Sequence, residues 1–333
     1  MRAHFRPSLI DHCLASNCLK SVLKYEPSSL KFQFTNPKHL ICFKQWNAKM
    51  VLDVLCSAMS LRYRLCDSHQ QKMDVIRNAK VMILQEINEP LLKMAVSKAA
   101  SLLGAEDVEI TDNLIWEEDY HGRIFSDMAD IIFVSTRTHA CVKRFAEKSS
   151  VPVLCMFSRT HAPIQALATV MAIMQEFGSV QGLNIAYVGP PHPVLNSYLL
   201  LFPMLGAQIK FKCCCKICPV SPLLLNASQA MSESESTKAK QCVESNEALK
   251  NASVIIAGPT TVVKEKIPEF VLGVNEINSS TTSPWIFFHT CPRGKEVDDE
   301  LFSHCNARTF TAFLNMHYIA AALMAYHIKD YTF

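Results

Sequence analysis

Glycine is scarce. The chain has 333 residues and only 9 glycines, well under the roughly 7% of an ordinary protein. Loops that cradle a nucleotide need glycine so that the backbone can approach phosphate closely. There is no G-x-G-x-x-G run and no G-x-x-x-x-G-K run, which excludes dinucleotide and nucleotide binding of those kinds. Long apolar runs are missing as well. The best stretches, at 199–205 and 319–325, fall far short of the ~18–20 residues of a membrane span, so no membrane partner is expected. Net charge is only +3; it carries no argument for nucleic acid, and no nucleic-acid partner is expected.

What is present is a globular composition, 49% hydrophobic and 19% charged, long enough for two domains of about 150 residues. Charge is unevenly spread. Residues 1–50 carry Arg2, Arg6, Lys20, Lys24, Lys31, Lys38, Lys44 and Lys49 against Asp11 and Glu26. With Leu9, Ile10, Cys13, Leu14, Leu19, Val22 and Leu23 at helical spacing, this basic leader resembles a mitochondrial transit peptide. The alternative is a basic leader without that role, in a cytoplasmic protein. Fourteen cysteines without a secretory signal read as reduced thiols. The densest cluster, "CCCKIC" at 213–218, has one C-x-x-C pair and no second pair or histidine partner. It reads as a cysteine-rich strand end, and neither a metal nor an organic cofactor is expected.

Periodicity gives the fold class. Short buried runs at 79–84, 129–135 and 151–157 read as strands, and they alternate with helical segments at 39–65, 88–106 and 141–149. The second helix has clear punctuation: Asn88 as N-cap, Pro90 in the first turn and Gly104 at the stop. A helix at 163–177 has no turn residue inside it, and after it the pattern restarts with strands at 183–189, 207–213, 253–257 and 283–289. The polar stretch 226–240 reads as a loop or an exposed helix, and a long apolar helix closes the chain. The expectation is an α/β protein of two similar-sized domains, each a parallel sheet flanked by helices. An interdomain helix and a C-terminal helix link them. The divisions fall at a leader 1–35, a first domain 36–165, a second domain 166–310, and a C-terminal helix 311–333 that packs back on the first domain.

Three blocks carry a resemblance. "HAPIQALA" (161–168), the strand–helix pair "LNIAYVG" and "NSYLLLFPMLGAQI", and "FFHTCPRGKEVDDELF" (287–302) are similar to segments of the transcarbamylases. The last resembles ornithine carbamoyltransferase in particular. The resemblance runs from about His39 to Asp330. It implies a carbamoyl-phosphate domain, an amino-acid domain, a homotrimer with active sites at subunit boundaries, and transfer of a carbamoyl group to an amine without metal or cofactor. Several cations and helix N-terminal amides would hold the phosphate.

Residue by residue, the site that the resemblance implies is depleted. The family's Ser-Thr-Arg-Thr-Arg loop falls at residues 89–93, here "EPLLK": Leu91 stands at the place of the key arginine, and only Lys93 keeps a charge. The "VSTRTH" run (134–139) looks like that loop but follows a later strand. Ser135 holds the place of a second phosphate arginine, while Arg137 either reaches an anion or is a solvated loop residue. Aligned on Pro163, the catalytic histidine position is Ala162; His161 serves only if the backbone shifts, and otherwise packs at the domain junction. Gln165 matches. Met316 replaces the last phosphate arginine. On the amino-acid side, "PPHP" (190–193) and "GPTTVVK" (258–264) lack the family's polar groups. Thr290 stands for the reactive cysteine, with Cys291 one residue later; Arg293 matches, or forms a structural ion-pair corner with the acids after it.

Candidate catalytic residues are therefore His161, Gln165, Cys291 and Arg293, and candidate carbamoyl-phosphate ligands are Lys93, Gln165 and Arg137. A charged hydrogen bond to an anion contributes about 1.5–3 kcal/mol. Losing three arginines removes roughly 4–9 kcal/mol, about a thousand- to a million-fold in affinity. The reading that follows is a non-catalytic scaffold or regulator, a homotrimer or a hetero-oligomer with an active paralogue. The alternative is an active carbamoyltransferase for ornithine or another amine.

Overall fold

The computed structural model describes residues 38–67, 72–113, 120–213, 220–232, 234–259, 270–281 and 284–333. The basic leader, most of "CCCKIC" and most of "GPTTVVK" lie outside the described residues. Two parallel sheets organise the rest. The first holds β1 (Lys80–Gln85), β2 (Asp107–Asp112), β3 (Ile131–Thr136) and β4 (Val153–Ser158) in the order β2-β1-β3-β4. The second holds β5 (Asn184–Gly189), β6 (Gln208–Cys213), β7 (Lys240–Gln241), β8 (Val254–Ala257) and β9 (Ile286–His289) in the order β7-β6-β5-β8-β9. All pairings are parallel, and central strands such as β3 and β8 are buried throughout. Strands covered on both faces read as continuous apolar runs, which is why they were visible in the sequence.

Three elements differ from the sequence reading. β2 was not expected: it is the exposed edge of the first sheet and reads Asp-Val-Glu-Ile-Thr-Asp, with no apolar run to betray it. "VSTRTH" accordingly ends the third strand in chain order, not the second: Val134, Ser135 and Thr136 lie in β3 and the rest leads into the next helix. The first helix begins at Ala48 rather than 39. Leu40 instead bridges β4, its amide donating to Val153 O at 3.0 Å, and Asn47 Oδ1 caps the helix by accepting the Met50 amide at 2.9 Å. The helix Pro90–Leu102 has Glu89, not Asn88, as its N-cap, without a side-chain cap bond. At its other end Gly104 takes the left-handed conformation (φ 77°) that a helix stop favours. The polar stretch begins in a helix, Pro222–Ala230.

The linker helix Pro163–Phe177 is buried from Pro163 to Met174 except at Gln165, which is partly exposed. It meets no charge until Glu176, so it can be covered on every side. The closing helix Thr309–Lys329 packs against it and against the helices Ala48–Asp67 and Pro90–Leu102. Each buried Leu, Ile or Met here contributes roughly 1.5–3 kcal/mol. Asn315 is fully buried within this layer and is satisfied by Arg62, which donates at 2.8 Å, and by acceptors at Gln175 (3.1 Å) and Ala168 (3.4 Å).

This topology fixes where a ligand would sit. In each sheet the strand order reverses once, between β1 and β3 and between β5 and β8. The crevice at the carboxyl ends of those strands is the binding position of open α/β sheets.

Candidate functional site

The first crevice is built from the residues that follow β1 and β3. The two strands run side by side to Gln85 and Ser135, and the pairing continues as the Glu86 amide donates to Ser135 O at 2.8 Å. Side chains then knit the strand ends together. Ser135 Oγ donates to Ile87 O at 2.8 Å, and Gln85 Nε2 donates to the same carbonyl at 3.3 Å. The Glu86 carboxylate accepts the Arg137 amide at 2.8 Å and lies 3.7 Å from the Arg137 guanidinium. Ser135 is thus a buried hydroxyl spent on a local carbonyl, and Arg137, largely exposed, is paired with an acid of its own sheet.

The helix Pro90–Leu102 opens beside this crevice. Pro90 has no amide hydrogen to offer, and Glu89 is half buried, its carboxyl held above its ordinary range by desolvation. Leu91 is exposed. Lys93 points to the edge strand, where Nζ meets Asp112 at 3.0 Å.

The second crevice is closed by backbone. Gly189 has φ 154°, and a Cβ there would stand 2.6 Å from Gly258 Cα. A Cβ on Gly258 would stand 2.2 Å from Tyr187 Oη. Only glycine lets β5 and β8 end this close together. Tyr187 Oη donates to Pro190 O at 2.8 Å, and the next turn is capped by His192, whose Nδ1 accepts the Val194 amide at 3.3 Å. Burial pushes the His192 pKa down to about 4.

Beyond β9, a buried pair fixes the "HTCPR" segment. His289 Nδ1 accepts the Cys291 amide at 2.9 Å, so the proton sits on Nε2, which donates to Glu296 Oε1 at 2.8 Å. Glu296 is fully buried and also accepts the Gly294 amide at 2.8 Å. Arg293 turns to Asp299 (2.6 Å) and lies over the Phe302 ring, 4.5 Å from its centroid. This is the ion-pair corner that the run of acids suggested. Burial pushes the Cys291 thiol up to about 11, so at neutral pH it is protonated and a weak nucleophile.

Among the candidates, Gln165 comes closest to a site geometry: its Nε2 donates to Thr290 O at 3.1 Å, joining the start of the linker helix to the end of β9. His161 is buried. Its Nδ1 lies 3.5 Å from Ser197 Oγ, its ring stacks edge-on with His139 at 5.0 Å, and burial pushes its pKa down to about 3. Lys93, Arg137 and Arg293 are each held by a different carboxylate. The sequence reading missed two of these partners, Asp112 and Glu86, because they come close only once the strands have paired. It also missed Cys42, His139 and His161 as a group. A pocket of about 190 Å³, lined in part by Met174, Val180 and Leu205, lies instead at the segments that lead into β5 and β6.

Two parallel sheets, of four and five strands, are joined by a largely buried helix, and each has a crevice at its reversal. Residues 181–327 match the family described as "Aspartate/ornithine carbamoyltransferase, Asp/Orn binding domain". The ornithine carbamoyltransferase of Pyrococcus furiosus shares the fold, with a TM-score of 0.82 at 18% identity, over 89% of this chain and 98% of that one. A curated relative, the mitochondrial ornithine carbamoyltransferase of Aquarana catesbeiana, is 22% identical over 311 residues, 89% of this chain and 88% of its own. The ornithine carbamoyltransferase of Acinetobacter baumannii is 27% identical over 222 residues, 62% and 69% of the two chains. Its second half matches the family's Asp/Orn-binding domain, and the chain as a whole is similar to ornithine carbamoyltransferases in sequence and shares their fold.

Proposed function

We propose that this family member no longer transfers carbamoyl groups and acts as a scaffold or regulator, assembled as a homotrimer or with an active paralogue in the mitochondrial matrix. One observation carries the reading: the Glu86 carboxylate lies in the first crevice against the Arg137 amide and guanidinium. An internal anion there takes the donors that a phosphate would need. Its negative charge, with Glu89 close by in the chain, opposes a second anion at that place. Lys93 and Arg293 are engaged by Asp112 and Asp299, and Leu91, Ser135 and Met316 offer no replacement cation. The amino-acid side supports the same reading, because the approach of Gly189 to Gly258 leaves little room at the second reversal.

The test is turnover. Purified full-length chain with carbamoyl phosphate and ornithine is expected to give no citrulline above the uncatalysed rate. Citrulline formation that Lys93→Ala or Gln165→Ala abolishes would contradict the proposal and establish the alternative, an active carbamoyltransferase. The regulatory part is tested separately by mass measurement of the chain mixed with an active ornithine carbamoyltransferase from the same source, where mixed oligomers are expected.

A further inference from the structure

We infer that Cys42, His139 and His161 form a metal site for a borderline-soft divalent cation, zinc by ligand chemistry, that ties three separate segments of the first sheet's layer together. The three donor atoms lie within 4.8 Å of one another. They come from distant places: Cys42 from the turn that follows the Leu40 bridge, His139 from the first position of the helix His139–Lys148, and His161 from the loop between β4 and the linker helix. One sulfur and two imidazole nitrogens are a donor set zinc accepts, with a fourth position left for water, as in sites with three protein ligands. Zinc–ligand bonds of about 2.0–2.3 Å require the three donors to close by only a modest shift of side chains.

The surroundings favour occupancy over mere packing. His139 Nδ1 is buried without a hydrogen-bond partner, which is costly unless something fills it. Ser197 Oγ lies beside His161 Nδ1, and such an outer contact fixes the ring so that its other nitrogen can ligate. Cys42 is buried, with the Lys44 amide at its sulfur. The Lys44 and Lys143 charges nearby oppose a cation; the thiolate offsets one unit, and both ammonium groups sit on exposed residues. Binding balances simply: the cation displaces the Cys42 thiol proton to solvent, and each imidazole ligates through a ring nitrogen that carries no proton. Nothing in this site depends on whether the protein transfers carbamoyl groups.

The experiment is metal titration of the purified full-length chain with Zn2+, and with Co2+ as a spectroscopic probe. One equivalent is expected, with a thiolate-to-cobalt charge-transfer band and a melting temperature that rises with free Zn2+. Cys42→Ser and His139→Asn should each abolish the band and weaken binding more than tenfold, and Ser197→Ala should weaken it about 10- to 100-fold. A control chain with Cys214→Ser, Cys215→Ser and Cys218→Ser should bind as the parent does. No stoichiometric binding, a cobalt spectrum without thiolate character, or binding lost only in the control would overturn the assignment. The control chain's own spectrum decides the matter even if a Cys42 or His139 variant fails to fold.

Discussion

The two crevices are closed by different physics. At the β1/β3 reversal the closure is polar: a carboxylate, a serine hydroxyl and a glutamine amide take up the groups that a ligand would use. At the β5/β8 reversal it is steric, with two glycines in near contact under a buried tyrosine. Polar closure at a partly exposed place is cheap to undo, because each lost bond can be replaced by water. Steric closure in a core cannot relax without moving strands. The two halves should therefore respond very differently to mutation.

The largest effect is expected behind the second crevice. Glu296→Ala leaves both the neutral His289 Nε2–H and the Gly294 amide without an acceptor, at about 1–3 kcal/mol each in urea unfolding. A loss below about 1 kcal/mol would show that the pair is not structural. Next comes Gly258→Ala, which drives a methyl group into Tyr187 Oη and should destabilise by about 1–3 kcal/mol. The double variant Gly258→Ala/Tyr187→Phe should recover part of that loss if the clash is with the hydroxyl.

Acid should act in both halves at once. His39 Nδ1 accepts the Val153 amide at 3.1 Å, and His192 Nδ1 accepts that of Val194. Both rings must be neutral at that nitrogen, since a protonated imidazole only donates. Burial lowers each pKa from 6.5 to about 4. A base whose folded pKa is depressed binds fewer protons folded than unfolded, so stability is full above pH 6.5 and falls as pH drops toward 4. The urea midpoint measured across that window should decline steadily. A flat profile would mean that these imidazoles are solvated. The smallest effect belongs to the first crevice: Arg137→Ala breaks an exposed pair and should change stability by less than about 1 kcal/mol. If it costs as much as Gly258→Ala, the contrast between the crevices fails.

Much of the framework was legible in advance, and for a physical reason. Strands such as β3 and β8 are buried on both faces, and the linker helix is buried along most of its length, so burial itself wrote the apolar runs that were read. β2 wrote nothing, because an exposed edge needs no apolar face. The family blocks around Gln165 and Arg293 were visible as strings. What Gln165 does was not, because Thr290 becomes its partner only through the fold, whereas the acid that holds Arg293 follows it in the chain and was within reach of the sequence reading. Arg137 is the instructive case: the "STRTH" string looks like an anion site, yet its arginine is answered by Glu86, from the neighbouring strand's end. The Cys42, His139 and His161 group had no spacing signal, since its members come from three separate elements that meet only in the folded layer.

The occupied state of the first crevice is best tested by calorimetric titration of the full-length chain with carbamoyl phosphate. The account predicts no saturable heat up to millimolar ligand for the chain itself. A dissociation constant in the micromolar range, weakened by Arg137→Ala or Lys93→Ala, would contradict it.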